Sequence, residues 1–573
     1  MKSILKGIVL VLLAASVCSA LDRDAFTFTK YDLELRANPD EQQIAVRGKI
    51  TLRNDSKEPR KTASLQISSS LEWRMIEEDG KALQYLAEPL TSDIDHTGKV
   101  TEAVVTFANP VPQGGTVELD VGYSGAIPRD ATRLTKIGVP EAQALASEWD
   151  RVSAEFTGVR GVGHVVWYPV AMDPANAADE SLFGAVAQWQ KRQAKSEMKT
   201  RYCWITDEEH SFTVVANGNW EGIGGGSDAV EGARTGCSSY SYRDLDVTVP
   251  TFAMARFEML SRPAISLWYN AGHDAAAKDY ALAAEKVQPW VETWLGKTKD
   301  KVQVVELPES DDAPYESGTM LFTPLSDNRR LTEVMMAHQM AHAAFTSPRL
   351  WIREGLAQFM QAMVRERQDG RRAALMFMAS RMPALQAAEK QNVANQKPMG
   401  DAAQSLVATD DEVYYRIKAM YVWWMLRDMV GDDALQAAIK SYRADMDKEP
   451  GHVQRLIAAQ SKRDLEWFFD DWVYRDRGLP DFRMESAIPR ETLNGANVVA
   501  VTVENLGNAA GEIPVSVGTA TGGQSARLMV KARQKDITRI SVPDKATAAT
   551  ANDGSVPETD TTNNRIELSS TPK

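Results

Sequence analysis

Cysteine is scarce, at three residues in 573, and so is histidine, at seven. So few thiols exclude a disulfide-framework scaffold and argue against a cysteine-built metal site. An excess of positive charge is missing as well: 65 basic residues face 78 acidic ones, a formal charge of −13. Nucleic acid rewards clustered positive charge, so it is a poor partner for this chain. Beyond the first twenty residues no apolar run approaches the ~18 residues of a membrane-spanning helix. What remains is ordinary for a globular protein, 43% apolar and 25% charged. At this length the chain exceeds one hydrophobic core and predicts three or four domains.

The start of the chain stands apart. Lys2 and Lys6 precede the apolar run 8–17, and Cys18-Ser19-Ala20 places small residues at a cleavage point. This predicts a signal peptide over residues 1–20 and export to a periplasmic or extracellular space. Bulky Val17 disfavours a lipid anchor on Cys18. Removing the leader leaves 63 basic against 78 acidic residues and a charge of −15. The two thiols that remain, Cys203 and Cys237, would then meet oxidising conditions. A disulfide between them closes a loop worth roughly 3–4 kcal/mol; two separate buried thiols are the alternative.

Residues 21–262 read as mostly strands, with alternating or β-branched runs at 44–52 and 104–107 and a turn at Pro112-Gln113-Gly114-Gly115. A helix is expected at 180–199. The glycine tract 222–226 lacks a phosphate-loop ending and reads as a hairpin loop. From 263 to 482 the pattern is mixed α/β and then helical. Strands are expected at 265–269, 302–307 and 318–322, and helices at 274–295, 331–345, 350–367, 373–390, 412–429, 433–446 and 465–473. Ser347-Pro348 reads as the N-cap and first residue of the 350–367 helix. Residues 483–573 return to short strands separated by turns, the pattern of a small immunoglobulin-like sandwich, with a polar low-complexity stretch at 546–564.

Chemistry concentrates in Ala337-His338-Gln339-Met340-Ala341-His342. Histidines at i and i+4 share one helix face and can reach one cation. Glu354, twelve residues after His342 on the next helix, supplies a carboxylate as third ligand, and three ligands leave a fourth position open. The bland alternative makes both histidines satisfied polar residues on an apolar helix. In a His-Glu-x-x-His motif the residue after the first histidine takes the proton of the metal-bound water. Here it is Gln339, a neutral amide that accepts no proton.

The segment 333–361 resembles the gluzincin zinc metallopeptidases, in particular the membrane-alanyl-aminopeptidase family that includes aminopeptidase N and leukotriene hydrolase. Trp351-Ile352-Arg353-Glu354-Gly355-Leu356-Ala357 is similar to that family's Trp-Leu-Asn-Glu-Gly-Phe-Ala, and Trp467-Phe468-Phe469-Asp470-Asp471-Trp472-Val473 stands where its helical domain ends. The resemblance implies a multidomain α+β protein. An amino-terminal β-saddle (21–262) leads into a thermolysin-like mixed α/β and α-helical domain (263–482), and a carboxy-terminal immunoglobulin-like β-sandwich (483–573) follows. It implies Zn2+ on His338, His342 and Glu354, with peptides as substrate or ligand. It also implies a tyrosine that donates to the developing oxyanion. Tyr415 in Tyr414-Tyr415-Arg416-Ile417-Lys418-Ala419 is the candidate and Tyr414 the fallback, with one residue more than the family has between tyrosine and lysine.

Two further departures bear on function. The interhelical spacer is shorter than the family's. The family's Gly-x-Met-Glu-Asn strand holds the substrate's amino group; here Asp312-Ala313-Pro314-Tyr315-Glu316 stands in its place, with Glu316 one position out of register when counted from Gly318. A one-residue shift turns a strand side chain to the opposite face. Three functions remain open: a zinc-holding peptide binder with weak or lost hydrolysis, an active zinc aminopeptidase, and a metal-free scaffold.

Overall fold

The computed structural model describes residues 21–178, 181–206, 212–224, 234–246, 248–297, 301–394, 405–409, 411–475, 477–491 and 497–568. The expected signal peptide, Cys18, and the end of the glycine tract at Gly225-Gly226 lie outside them. No helix among the described residues is long and apolar enough to cross a membrane.

Alternating burial builds the amino-terminal part. Phe26–Asn38 buries Tyr31, Leu33, Leu35 and Ala37 on one face, the period of a half-covered strand. It pairs antiparallel with Gln43–Asn54 and parallel with Glu197–Thr206, at the middle of an eight-stranded sheet. A three-stranded sheet, Arg60–Ser68, Lys99–Val111 and Gln84–Thr91, shares its core. The helix expected at 180–199 is Ser181–Gln193, shorter because Met198, Thr200 and Tyr202 alternate into the sheet core. Cys203 lies opposite Cys237 on the paired strands Glu197–Thr206 and Arg234–Tyr242, and the two form a disulfide.

A five-stranded mixed sheet comes next, in the order Glu258–Ser261, Ile265–Tyr269, Val302–Glu306, Met320–Thr323, Tyr315–Ser317. Tyr315–Ser317 is the edge strand, joined to its neighbour through Gly318 at φ +61°, a conformation that a tight hairpin turn needs and glycine takes without strain. The Asp274–Leu295 helix and the later helices pack on this sheet, burying Trp294, Trp351, Trp423 and Trp424 in one core.

Some boundaries differ from the sequence reading. The 373–390 helix is two, Arg371–Ala379 and Met382–Ala394, with Pro383 at the start of the second, where a missing N–H costs nothing. Ser347 does not cap the next helix. That helix starts at Leu350, while Ser347 Oγ accepts from Arg349 N at 3.1 Å and pairs with the Tyr442 hydroxyl at 2.9 Å. His452–Ser461 is a helix that the sequence pattern did not disclose. Part of the polar 546–564 stretch is a strand, Ala546–Ala551, whose small side chains fit the buried side of a sheet.

The carboxy-terminal residues form a three-stranded sheet (Phe482–Glu491, Asn497–Asn505, Lys535–Val542) and a four-stranded one (Gly522–Val530, Gly511–Thr519, Ala546–Ala551, Arg565–Glu567). Their core is continuous with that of the helices. Trp472 bridges the two, fully buried and donating from Nε1 to Ala510 O at 2.9 Å.

Candidate metal centre

Asn328 opens the histidine helix, Arg329–Ala344, by accepting from Leu331 N at 3.2 Å, a side-chain N-cap. Met336, Ala337, Met340 and Ala341 bury its sides, leaving one face for His338, Gln339 and His342. The two rings lie 4.8 Å apart, with Nε2 facing Nε2 at 3.1 Å. The chain leaves this helix at Phe345 and re-enters a helix at Leu350, so the short spacer brings Glu354 back alongside: its Oε2 is 3.7 Å from His342 Nε2. Gly355, next to Glu354, lets the Leu350–Asp369 helix approach Ala419–Val430. A Cβ at Gly355 would stand 2.6 Å from the Ala419 Cβ.

Glu316 joins this group. Alternation along the edge strand turns Tyr315 toward Trp149 and Phe322, and Ser317 toward Asn217 and Val249, on the amino-terminal side. Glu316 therefore faces the histidine helix, where counting from Gly318 predicts the opposite face. Its carboxylate is 3.0 Å from His338 Nε2, and its Oε2 accepts from Gln339 Nε2 at 2.5 Å. Arg416 closes the arrangement. Its Nη2 donates to Glu316 Oε1 at 2.9 Å, and its Nε is 3.3 Å from Glu354 Oε2. Arg416 belongs to a π-helical turn, Val413–Lys418, which absorbs one extra residue into the helix that continues as Ala419–Val430.

Reading the tyrosine tract for an oxyanion donor passes over Arg416. A signal was present in the extra residue between tyrosine and lysine, since a π-turn shifts later residues by one position around the helix. Tyr415 lies within this turn, partly buried against the helical core, and burial pushes its hydroxyl pKa up. Tyr414 is fully buried, with the Lys418 ammonium 5.1 Å from its ring centre.

One ligand atom from each of Glu316, His338, His342 and Glu354 lies within 4.8 Å of the others. At metal–ligand bonds of ~2.0–2.1 Å, a tetrahedral site needs ligand atoms about 3.3 Å apart; the contacts of 3.0, 3.1 and 3.7 Å bracket that value. Charge states agree. Burial lowers the His342 pKa to about 4, leaving the neutral ring that ligation requires. Burial would raise Glu316, yet His338 and Arg416 hold it well below the usual carboxylate range. Glu354 is lowered too, with His342 and Arg416 outweighing burial. Glu354 Oε2, ion-paired with Arg416, makes no hydrogen bond among the described residues, which leaves it able to coordinate. The donor set fits a divalent cation of zinc type.

A cleft of about 450 Å3, lined by Pro314, Tyr315, Gln358, Gln361 and Arg381, opens onto Glu316, His338, Gln339 and Arg416. A larger cleft of about 800 Å3 around Trp467 and Tyr474 contains none of the four candidate ligands. Glu148, Asp150 and His164 form a second candidate metal group. Arg133 donates to Glu148 at 2.8 Å and Arg160 to Asp150 at 2.9 Å, and the group offers one histidine against the two of the first. That cluster supports the edge strand instead: Arg160 stacks over Trp149 and Tyr315, and Trp149 Nε1 donates to Ala313 O.

Two histidines on one helix and a carboxylate from the next thus form a group able to hold a metal ion. Residues 315–472 match the Peptidase family M1 domain. An M1 zinc metallopeptidase from Deinococcus radiodurans is similar at 15% identity, over 76% of this chain and 90% of its own, with a TM-score of 0.45. A mutant M1 zinc metallopeptidase from the same organism is also 15% identical, over 80% of this chain and 96% of its own, at 0.47. The mutant bound to a Tyr-Ser-Ala substrate gives the same figures. No curated protein matches the chain.

Proposed function

We propose that this chain is an exported, zinc-holding relative of the aminopeptidase-type M1 enzymes that binds peptides and hydrolyses them weakly or not at all. His338, His342 and Glu354 would hold the ion, which polarises a carbonyl and acidifies water only where a coordination position stays open. One observation carries the reading: the side chain after the first histidine is an amide, and its N–H2 is committed to Glu316. Loss of a general base typically costs ~10²–10⁴ in rate. Tyr415, its proton held by burial, is the oxyanion donor of this reading. Arg416, Gln339 and His338 already surround the Glu316 carboxylate and match its charge, so this reading assigns it no substrate ammonium. Selectivity for amino termini is therefore no part of the proposal.

The Cys203–Cys237 disulfide supports export, since such bonds persist in oxidising compartments. We read the amino-terminal sheets as the family's saddle and the last two sheets as an immunoglobulin-like sandwich. The test is metal analysis with peptide binding and hydrolysis on one preparation. One zinc per chain, measurable peptide affinity and no turnover above metal-free controls are expected. Brisk metal-dependent release of amino-terminal residues would make the protein an active aminopeptidase. Absence of metal after reconstitution would leave a scaffold.

A further inference from the structure

We infer that Glu316 is a fourth protein ligand, closing the metal's coordination sphere, and that Gln339 is the residue that holds it there. The inference rests on the zinc reading above and goes beyond it, because a site with four protein ligands is a structural site, while a catalytic one keeps a position for water.

Three observations carry it. The Glu316 carboxylate is as close to His338 Nε2, at 3.0 Å, as the two imidazoles are to each other, at 3.1 Å. It is fixed by two donors on different oxygens, Arg416 on Oε1 and Gln339 on Oε2, which leaves further lone pairs aimed at the histidines. The edge strand behind it is braced by the amino-terminal domain through Arg160, Trp149 and Asn217, so Glu316 has little freedom to withdraw.

Two departures noted in the sequence then explain each other. With Glu316 in this place, a glutamate at position 339 would set two carboxylates about as close as Gln339 and Glu316 are now, at 2.5 Å. Like charges at that distance cannot both stay ionised. An amide at 339 turns that repulsion into a hydrogen bond. The glutamine is thus a positioning residue for Glu316.

The test uses the full-length protein loaded with Zn2+ or Co2+, with no reliance on turnover. Bound Co2+ should give the strong visible absorption of a four-coordinate site, unchanged by added acetohydroxamate, because no position is open to it. Zn2+ affinity, measured by competition with a chromophoric chelator, should fall more than ~100-fold in Glu316→Gln, beyond the ~10–100-fold typical of an outer-shell partner. Gln339→Ala should fall within that outer-shell range. A cobalt spectrum that shifts on adding acetohydroxamate, or native affinity in a folded Glu316→Gln, would overturn the inference while leaving the zinc reading intact. A native chain that binds neither ion would overturn both.

Discussion

At the scale of single residues, the site is governed by what stands beside Glu354 and after His338. Gly355 is where two helices touch, so Gly355→Ala overpacks the contact with Ala419 and Trp423. Such overpacking typically costs ~1–3 kcal/mol. Urea unfolding should show a loss in that range, together with weaker metal binding as Glu354 is pushed off the histidines; native stability would contradict the packing argument. Position 339 gives a second expectation. Gln339→Glu alone should not restore hydrolysis, because the new carboxylate meets Glu316. Combined with Glu316→Ala, which frees a metal position, it should raise peptide hydrolysis by ~10²-fold or more. Full recovery in the single variant would show that Glu316 does not obstruct the base.

At the scale of elements, the π-turn Val413–Lys418 left a single trace in the sequence, the extra residue between tyrosine and lysine. The histidine spacing, the Glu354 motif and the Asp274–Leu295 helix were legible because each is a local pattern of period or spacing. The direction of Glu316 was not, since it depends on a three-residue edge strand whose register is set by the Gly318 turn and by packing on another domain. Arg416 escaped for a similar reason: one extra residue in a helix rotates the later side chains about its axis, and no local propensity marks that. Arg416 neutralises two carboxylates, so Arg416→Met should destabilise the metal-free protein. With roughly a quarter of Arg416 exposed, solvent screening brings the loss below the ~3–5 kcal/mol of a fully buried pair, to ~1–3 kcal/mol. Added Zn2+ should recover most of it by supplying the missing positive charge. Equal losses with and without zinc, in parallel thermal melts, would contradict that electrostatic role.

At the scale of the molecule, one core joins the helices to the carboxy-terminal sheets, and Glu558 lies in that junction. Burial pushes its pKa up to about 7, against donation from Phe482 N, Asn552 and Asn564. A carboxyl that holds its proton more tightly folded than unfolded gives stability that is complete below about pH 4.5 and declines as pH rises to about 7. The decline is on the order of 3 kcal/mol. Glu558→Gln should flatten the stability profile between pH 5 and 8, and an unchanged slope would count against this assignment. The most direct test of the whole account is the metal content of the purified native chain after zinc loading and dialysis, beside His342→Ala. One zinc per native chain and none in the variant is the predicted result; a native chain without zinc, or a variant that retains it, would contradict the centre described here.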